Sequence, residues 1–225
     1  MALEINKARW VTLPRAGRVP VGKVLCIGRN YAKHAAEMNS PVPESPLVFL
    51  KPATSLTASG STVDVPEGLG SVHHEVEMVV LVGSPLKHAT EQQAREAIAG
   101  LAVGLDMTAR DVQARAKQAG HPWSVAKGYD SFAPVGTMAP PGETSRRRIT
   151  LEINGKTVQD GTTSDMIFGV PQLLAYSSRI FTLEPGDLLF TGTPEGVGPV
   201  HPGDVLIARI DGLPELQVSV RSVPA

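Results

Sequence analysis

Glycine and proline punctuate this chain throughout, with 22 and 19 copies spread evenly over 225 residues. Proline removes a backbone donor and clashes inside a helix, while glycine raises the entropic cost of ordering any regular element. That pattern suits many short strands joined by tight turns more than a helical bundle. β-Branched and apolar runs at 21–27, 47–50, 75–82, 101–105, 149–153, 188–190, 205–210 and 216–220 supply those strands. Asn154-Gly155 is a hairpin-turn signal between strand-like runs. Helices are expected at 32–38, at 90–99 with Thr90 as cap, at 108–119 closed by Gly120, and at 166–178, where Pro171 interrupts. This order predicts an α+β, mainly β fold rather than a regular βαβ alternation. A chain of this length needs one core, so 1–20 reads as an N-terminal extension and 21–225 as a single domain.

The 21 Lys and Arg nearly balance the 22 Asp and Glu, for a formal net charge of -1. That gives no electrostatic reason to expect nucleic acid or an anionic membrane as partner. The basic run Arg146 to Arg148 is short, follows Pro140-Pro141-Gly142, and reads as a solvated loop. Cys26 is the sole cysteine, which rules out an intrachain disulfide, and its neighbours Val24, Leu25 and Ile27 suggest a buried thiol. No apolar stretch approaches the ~20 residues that span a bilayer, and 1–18 lacks a signal-peptide core, so a cytoplasmic location is expected.

The strongest chemical signal is His73-His74-Glu75-Val76-Glu77. In a strand Glu75 and Glu77 share one face with Val79 and Leu81. Two acids on an apolar face repel each other and resist burial, and a bound cation resolves both problems. A lone Glu-x-Glu is also at home on a solvated face, so a third ligand decides the matter. Asp106, delivered at the end of an apolar strand, is the candidate. An all-carboxylate set prefers a hard cation, Mg²⁺ or Mn²⁺, and Ca²⁺ can use the same ligands. His73 and His74 are possible ligands too, but read first as supporting groups.

His34 and Glu37 are three apart on a helix and lie side by side. A carboxylate beside imidazole raises its basicity, which builds a general base for water, although a surface ion pair has the same spacing. In Thr191-Gly192-Thr193-Pro194-Glu195-Gly196-Val197-Gly198 the glycines permit close backbone approach and amide donation to a carboxylate, or simply a turn. The stretch lacks the Gly-Lys-Ser/Thr ending of a phosphate loop. Lys127, after Trp123, is either a partly buried cation for a substrate carboxylate or carbonyl, or a solvated lysine.

In combination these residues resemble the fumarylacetoacetate hydrolase family. The carriers are Gly28-Arg29-Asn30-Tyr31-Ala32-Lys33-His34, Phe49-Leu50-Lys51-Pro52, the His73–Glu77 run, Leu105-Asp106-Met107-Thr108-Ala109-Arg110-Asp111-Val112-Gln113, and Thr191–Pro194 with Gly196-Val197-Gly198. The match runs in order from about Val21 to Val220 and looks closest to the short acylpyruvase and oxaloacetate decarboxylase branch. The resemblance implies a mixed β-sandwich roll, usually homodimeric, with one Mg²⁺ or Mn²⁺ held by Glu75, Glu77 and Asp106. It implies His34 and Glu37 as the water-activating pair on a lid. Arg29, Gln113, Lys127 and Thr193 would hold the carboxylate and oxo groups of a small 2-oxo acid, Lys127 also serving catalysis. The implied activity is hydrolysis of a C–C bond in acylpyruvates through a pyruvate enolate held at the metal, with oxaloacetate decarboxylation as a second activity. The alternative is an isomerase or tautomerase of 2-oxo or 2-hydroxymuconate-type acids, which moves only a proton.

Overall fold

The computed structural model describes residues 9–13, 17–38 and 40–225. Strands β1 (Trp10–Leu13) and β2 (Gly17–Pro20) form a small antiparallel hairpin. The chain continues through β3 (Val24–Gly28), α1 (Ala32–Glu37), β4 (Leu47–Lys51), β5 (Leu56–Ala58), β6 (Thr62–Pro66), β7 (Val72–His74) and β8 (Val76–Val82). Next come α2 (Glu91–Glu96), β9 (Ile98–Leu105), β10 (Thr108–Ala109), α3 (Arg110–Ala119) and α4 (Ser124–Lys127). The remainder carries β11 (Ala133–Val135), β12 (Arg148–Ile153), β13 (Lys156–Thr162), α5 (Val170–Ile180), β14 (Leu188–Phe190), β15 (Gly198–Pro199), β16 (Val205–Ile210) and β17 (Leu216–Val223).

The fold is mainly β, in mixed sheets. Seven strands run in the order β4-β3-β14-β8-β9-β11-β5, and five in the order β13-β12-β16-β17-β6. Strand β8 is central in the first sheet, and every one of its residues is buried. Covered on both faces, it has to be apolar along its length, apart from Glu77. Its side chains alternate between two cores. Val76, Met78, Val80 and Val82 pack with Leu206, Ala208 and Ile210 of β16 in the main core. Val79 and Leu81 join Val24, Cys26, Leu188 and Phe190 behind the sheet, together with Leu13 from the N-terminal hairpin. Each such aliphatic side chain stabilises the fold by about 1.5–3 kcal/mol. Cys26 is buried, and burial pushes its thiol up, out of the range of a ready nucleophile.

A third, three-stranded sheet in the order β10-β7-β15 gathers segments that are far apart in the chain. Thr108 pairs with His73, and Gly198 with His74. The expected turn chemistry is present. Asn154 and Gly155 both adopt positive φ between β12 and β13, Gly120 closes α3 in the left-handed region, and Thr90 forms a capping box with Gln93.

Several boundaries differ from expectation. The first long strand begins at Val24, not at 21. The 90–99 helix stops at Glu96, because Ile98 and Ala99 are drawn into β9 beside β8. The helix expected from 166 starts at Val170, so Pro171 opens it from the first turn, where its missing N–H costs nothing. Arg148 is not in a loop but opens β12 and forms a paired ion contact with Asp160 at 2.9 and 2.7 Å. Among the described residues no helix is long and apolar enough to cross a membrane.

Candidate metal centre and active site

Three buried carboxylates converge where β8 begins and β9 ends. Glu75 occupies the one-residue break between β7 and β8, Glu77 lies on β8, and Asp106 follows the last residue of β9. Val76 pairs with Leu105 and Glu77 with Gly104, which sets the two strand ends side by side. Each acid offers an oxygen within 4.8 Å of the others. Exposures of 6%, 1% and 1% for Glu75, Glu77 and Asp106 dispose of the solvated-face alternative.

Buried carboxylates need compensating charge. Lys127 Nζ lies 2.8 Å from Glu75 Oε2 and 2.5 Å from Asp106 Oδ2. Arg110 reaches Glu75 Oε1 at 2.5 Å. Lys51 Nζ stands 2.7 Å from Asp106 Oδ1, but its hydrogen bonds go to the carbonyls of Met107 and Phe132. Burial works to raise the Glu75 carboxyl, but Lys127 and Arg110 outweigh it and hold the group well below the usual carboxylate range. Glu77 goes the other way: burial, then repulsion from Asp106 and Glu75, raises it well above that range. For Lys127, burial is more than offset by Asp106 and Glu75, and its ammonium is stabilised.

The donor set fits a divalent cation. Asp106 Oδ1 is buried with no aligned hydrogen-bond donor, and Glu77 is disfavoured as an anion by its two acidic neighbours. A hard cation among three carboxylate oxygens would answer both, as the chemistry of Mg²⁺ and Mn²⁺ requires.

Helix α1 carries the other pair. Its alanines favour a helix, but six residues cannot hold one alone, so tertiary bonds fix it. His34 is buried, with Nδ1 3.2 Å from Glu37 Oε2. Glu37 Oε1 accepts the Gly196 amide at 3.0 Å, and Lys33 pairs with Glu195 at 3.4 Å. The glycine loop therefore does offer its amides to carboxylates, but to the protein's own. Gly192 donates to Glu77 Oε2 at 2.7 Å from a φ of +93°, and a Cβ there would stand 2.7 Å from that of Asn30.

One cavity is lined by Arg29, His34, Glu75, Glu77, Gln113, Lys127 and Thr193, with Arg110, Lys117, Phe49 and Trp123 beside them. Its volume is small, about 30 Å³. Glu37 and Asp106 stand behind it, holding His34 and Lys127. All the site residues expected from sequence are thus brought together, at the cavity or directly behind it. His73 and His74 take no part in the carboxylate trio and bond Ser71 and Gln159 instead.

Sequence reasoning passed over four residues. Arg110 and Lys117 were legible, since they share the inward stripe of α3 with Gln113. Lys51, a charge ending an apolar strand, gave a weaker signal. Gln159 gave none. It is buried, accepts from His74 Nδ1 at 2.9 Å and the Val76 amide at 3.0 Å, and donates to Thr193 Oγ1 at 2.9 Å.

The fumarylacetoacetate hydrolase C-terminal family model matches residues 23–221. The chain belongs to this family of enzymes. It is 48% identical over 197 residues to oxaloacetate tautomerase YcgM of Escherichia coli K12, covering 86% of this chain and 90% of that protein. The mitochondrial oxaloacetate tautomerase FAHD1 of Arabidopsis thaliana is 47% identical over 201 residues, 88% of this chain and 90% of its own. A fumarylpyruvate hydrolase from Pseudomonas aeruginosa, solved in complex with Mn²⁺ and pyruvate, superposes with a TM-score of 0.89 at 39% identity, covering 99% of both chains.

Proposed function

We propose that this protein catalyses the keto–enol tautomerisation of oxaloacetate, with a divalent cation, Mg²⁺ or Mn²⁺, held by Glu75, Glu77 and Asp106. The observation that carries the reading is His34, tethered through Nδ1 to Glu37 and lining the same small cavity as Glu75, Glu77 and Lys127. The two tautomerases of 48% and 47% identity support it. They share more of this sequence than the fumarylpyruvate hydrolase does, at 39%, which moves tautomerisation ahead of the hydrolysis expected from sequence.

Tautomerisation removes a proton from the enol oxygen and adds one at the adjacent carbon, C3. A divalent cation in the trio supplies Lewis acidity, polarising the 2-oxo carbonyl and favouring negative charge on its oxygen. His34 has Nε2 free to carry the proton at C3, while the contact of its Nδ1 with Glu37 fixes the ring. Lys127 places a permanent positive charge beside the developing oxyanion. Gln113 and Thr193 orient the substrate carboxylate, and Gln159 holds the Thr193 hydroxyl in place.

Hydrolysis of acylpyruvates is the second reading, favoured by likeness to the fumarylpyruvate hydrolase along the full length of both chains. The His34–Glu37 pair would then activate water. Oxaloacetate decarboxylation would lose CO₂ to give the pyruvate enolate that acylpyruvate hydrolysis also releases, and needs no water. Product analysis with oxaloacetate, acetylpyruvate and fumarylpyruvate, with Mg²⁺ or Mn²⁺ present, separates the three. The proposal expects accelerated interconversion of enol and keto oxaloacetate at unchanged mass. Release of pyruvate from acylpyruvates without that acceleration would move the assignment to hydrolysis, and pyruvate with CO₂ from oxaloacetate to decarboxylation.

A further inference from the structure

Helix α3 presents Arg110, Gln113 and Lys117 to the cavity from one stripe, at helical spacings of three and four. Arg110 is committed to the interior, bonded to Glu75 and to Gln113 at 2.5 and 2.7 Å. Lys117 is not. It is exposed at the cavity rim, with its ammonium 5.4 Å from the centroid of the Trp123 ring. Trp123 is in turn braced edge-on by Phe49 at 5.5 Å. The aromatic face steadies the cation without neutralising it.

Arg29 lines the same cavity from the turn after β3. Its φ of 56° is a conformation that a non-glycine residue adopts at a cost, and it recurs at functional sites. Among the described residues Lys51, Arg110 and Lys127 each have a carboxylate partner, whereas Arg29 and Lys117 make no ion pair. Partial burial, and then the charges of Arg29 and Arg110, pull the Lys117 ammonium below the usual lysine range. The inner end of the cavity thus has its anions, and the rim has two cations without one.

We propose that Lys117, with Arg29 beside it, seats the second carboxylate of the substrate and so selects 2-oxo dicarboxylic acids over 2-oxo monocarboxylic acids. The 2-oxo acid end lies against the trio and Lys127, and the distal carboxylate of a four-carbon diacid points back toward the rim. The inference rests on the reading of the site as one for 2-oxo acids. It adds the residue that distinguishes oxaloacetate from pyruvate.

The test compares wild type, Lys117→Met, which keeps the stem over Trp123, and Lys117→Arg, which keeps the charge. Two constants are measured with Mn²⁺ present: KM for oxaloacetate, and the inhibition constant of pyruvate, which lacks the distal carboxylate. Lys117→Met should raise KM by about tenfold, the worth of one charge-assisted contact. The pyruvate constant should move less than about twofold on the same scale, and Lys117→Arg should restore most of the KM. Parallel shifts in both constants, or no shift in either, would overturn the assignment. If wild type does not act on oxaloacetate, the functional reading fails separately. Calorimetric affinities of wild type and Lys117→Met for oxaloacetate and pyruvate then decide the clamp by the same ratio.

Discussion

The amide of Asp106 donates to the carbonyl of Glu75 at 2.9 Å, one step beyond the pairing of Val76 with Leu105. The backbones that carry two of the three acids are thereby locked together by the sheet. Strand pairing sets the backbones of these acids side by side. Such preorganisation would let a cation held there act on substrate without first drawing the site together.

Gly104 tests how closely this register is packed. It sits opposite Glu77, and a Cβ there would collide with Val79 and stand 2.8 Å from Phe190 Cε1. Gly104→Ala should destabilise the protein by about 1–3 kcal/mol, seen as a lower urea midpoint. An unchanged midpoint would mean that the core behind Glu77 can yield.

Gln159 joins three segments of the site through one buried amide. Its replacement by Ala leaves the Val76 amide and the Thr193 hydroxyl without this partner, and should cost at least about 2 kcal/mol. Thermal melting reads that loss. Because Thr193 is freed to rotate, KM should rise as well. A large melting shift with KM unaltered would show that Thr193 does not orient the substrate.

His73 provides a pH signature in metal-free protein. Burial, and then Arg110, lower it to about 4 from its ordinary 6.5. Between those values the unfolded chain binds a proton that the folded chain does not. The stability at stake is therefore complete above pH 6.5 and lost as pH falls toward 4. His73→Asn should flatten the fall of the denaturation midpoint in that window. It should not abolish the fall, since burial also lowers His74 and adds a slope of the same sign. An unaltered slope would mean that His73 titrates normally.

What the sequence disclosed follows from what is local. The apolar run of β8, the Asn154-Gly155 turn, the Gly120 stop and the Thr90 cap are set by neighbouring residues, and all were readable. The helix boundaries at 90–99 and 166–178 misled because pairing of Ile98 and Ala99 in β9 is decided by β8, and because Pro171 starts a helix as readily as it breaks one. At the site, Glu75, Glu77, His34 and Glu37 stood out through spacing, and Asp106 through its place at a strand end. Gln159 and the pairing of Lys51 with Asp106 depend on side chains meeting across the fold, for which a single sequence carries no periodicity.

The claim beneath the whole account is that Glu75, Glu77 and Asp106 together hold one divalent ion. Calorimetric titration of Mn²⁺ into chelator-treated protein tests it, with thermal melting to confirm that each variant is folded. Wild type should bind one ion per chain, and Asp106→Asn or Glu77→Gln should weaken binding by on the order of 100-fold or more. Folded variants that bind Mn²⁺ as tightly as wild type, or a wild type that binds none, would contradict it.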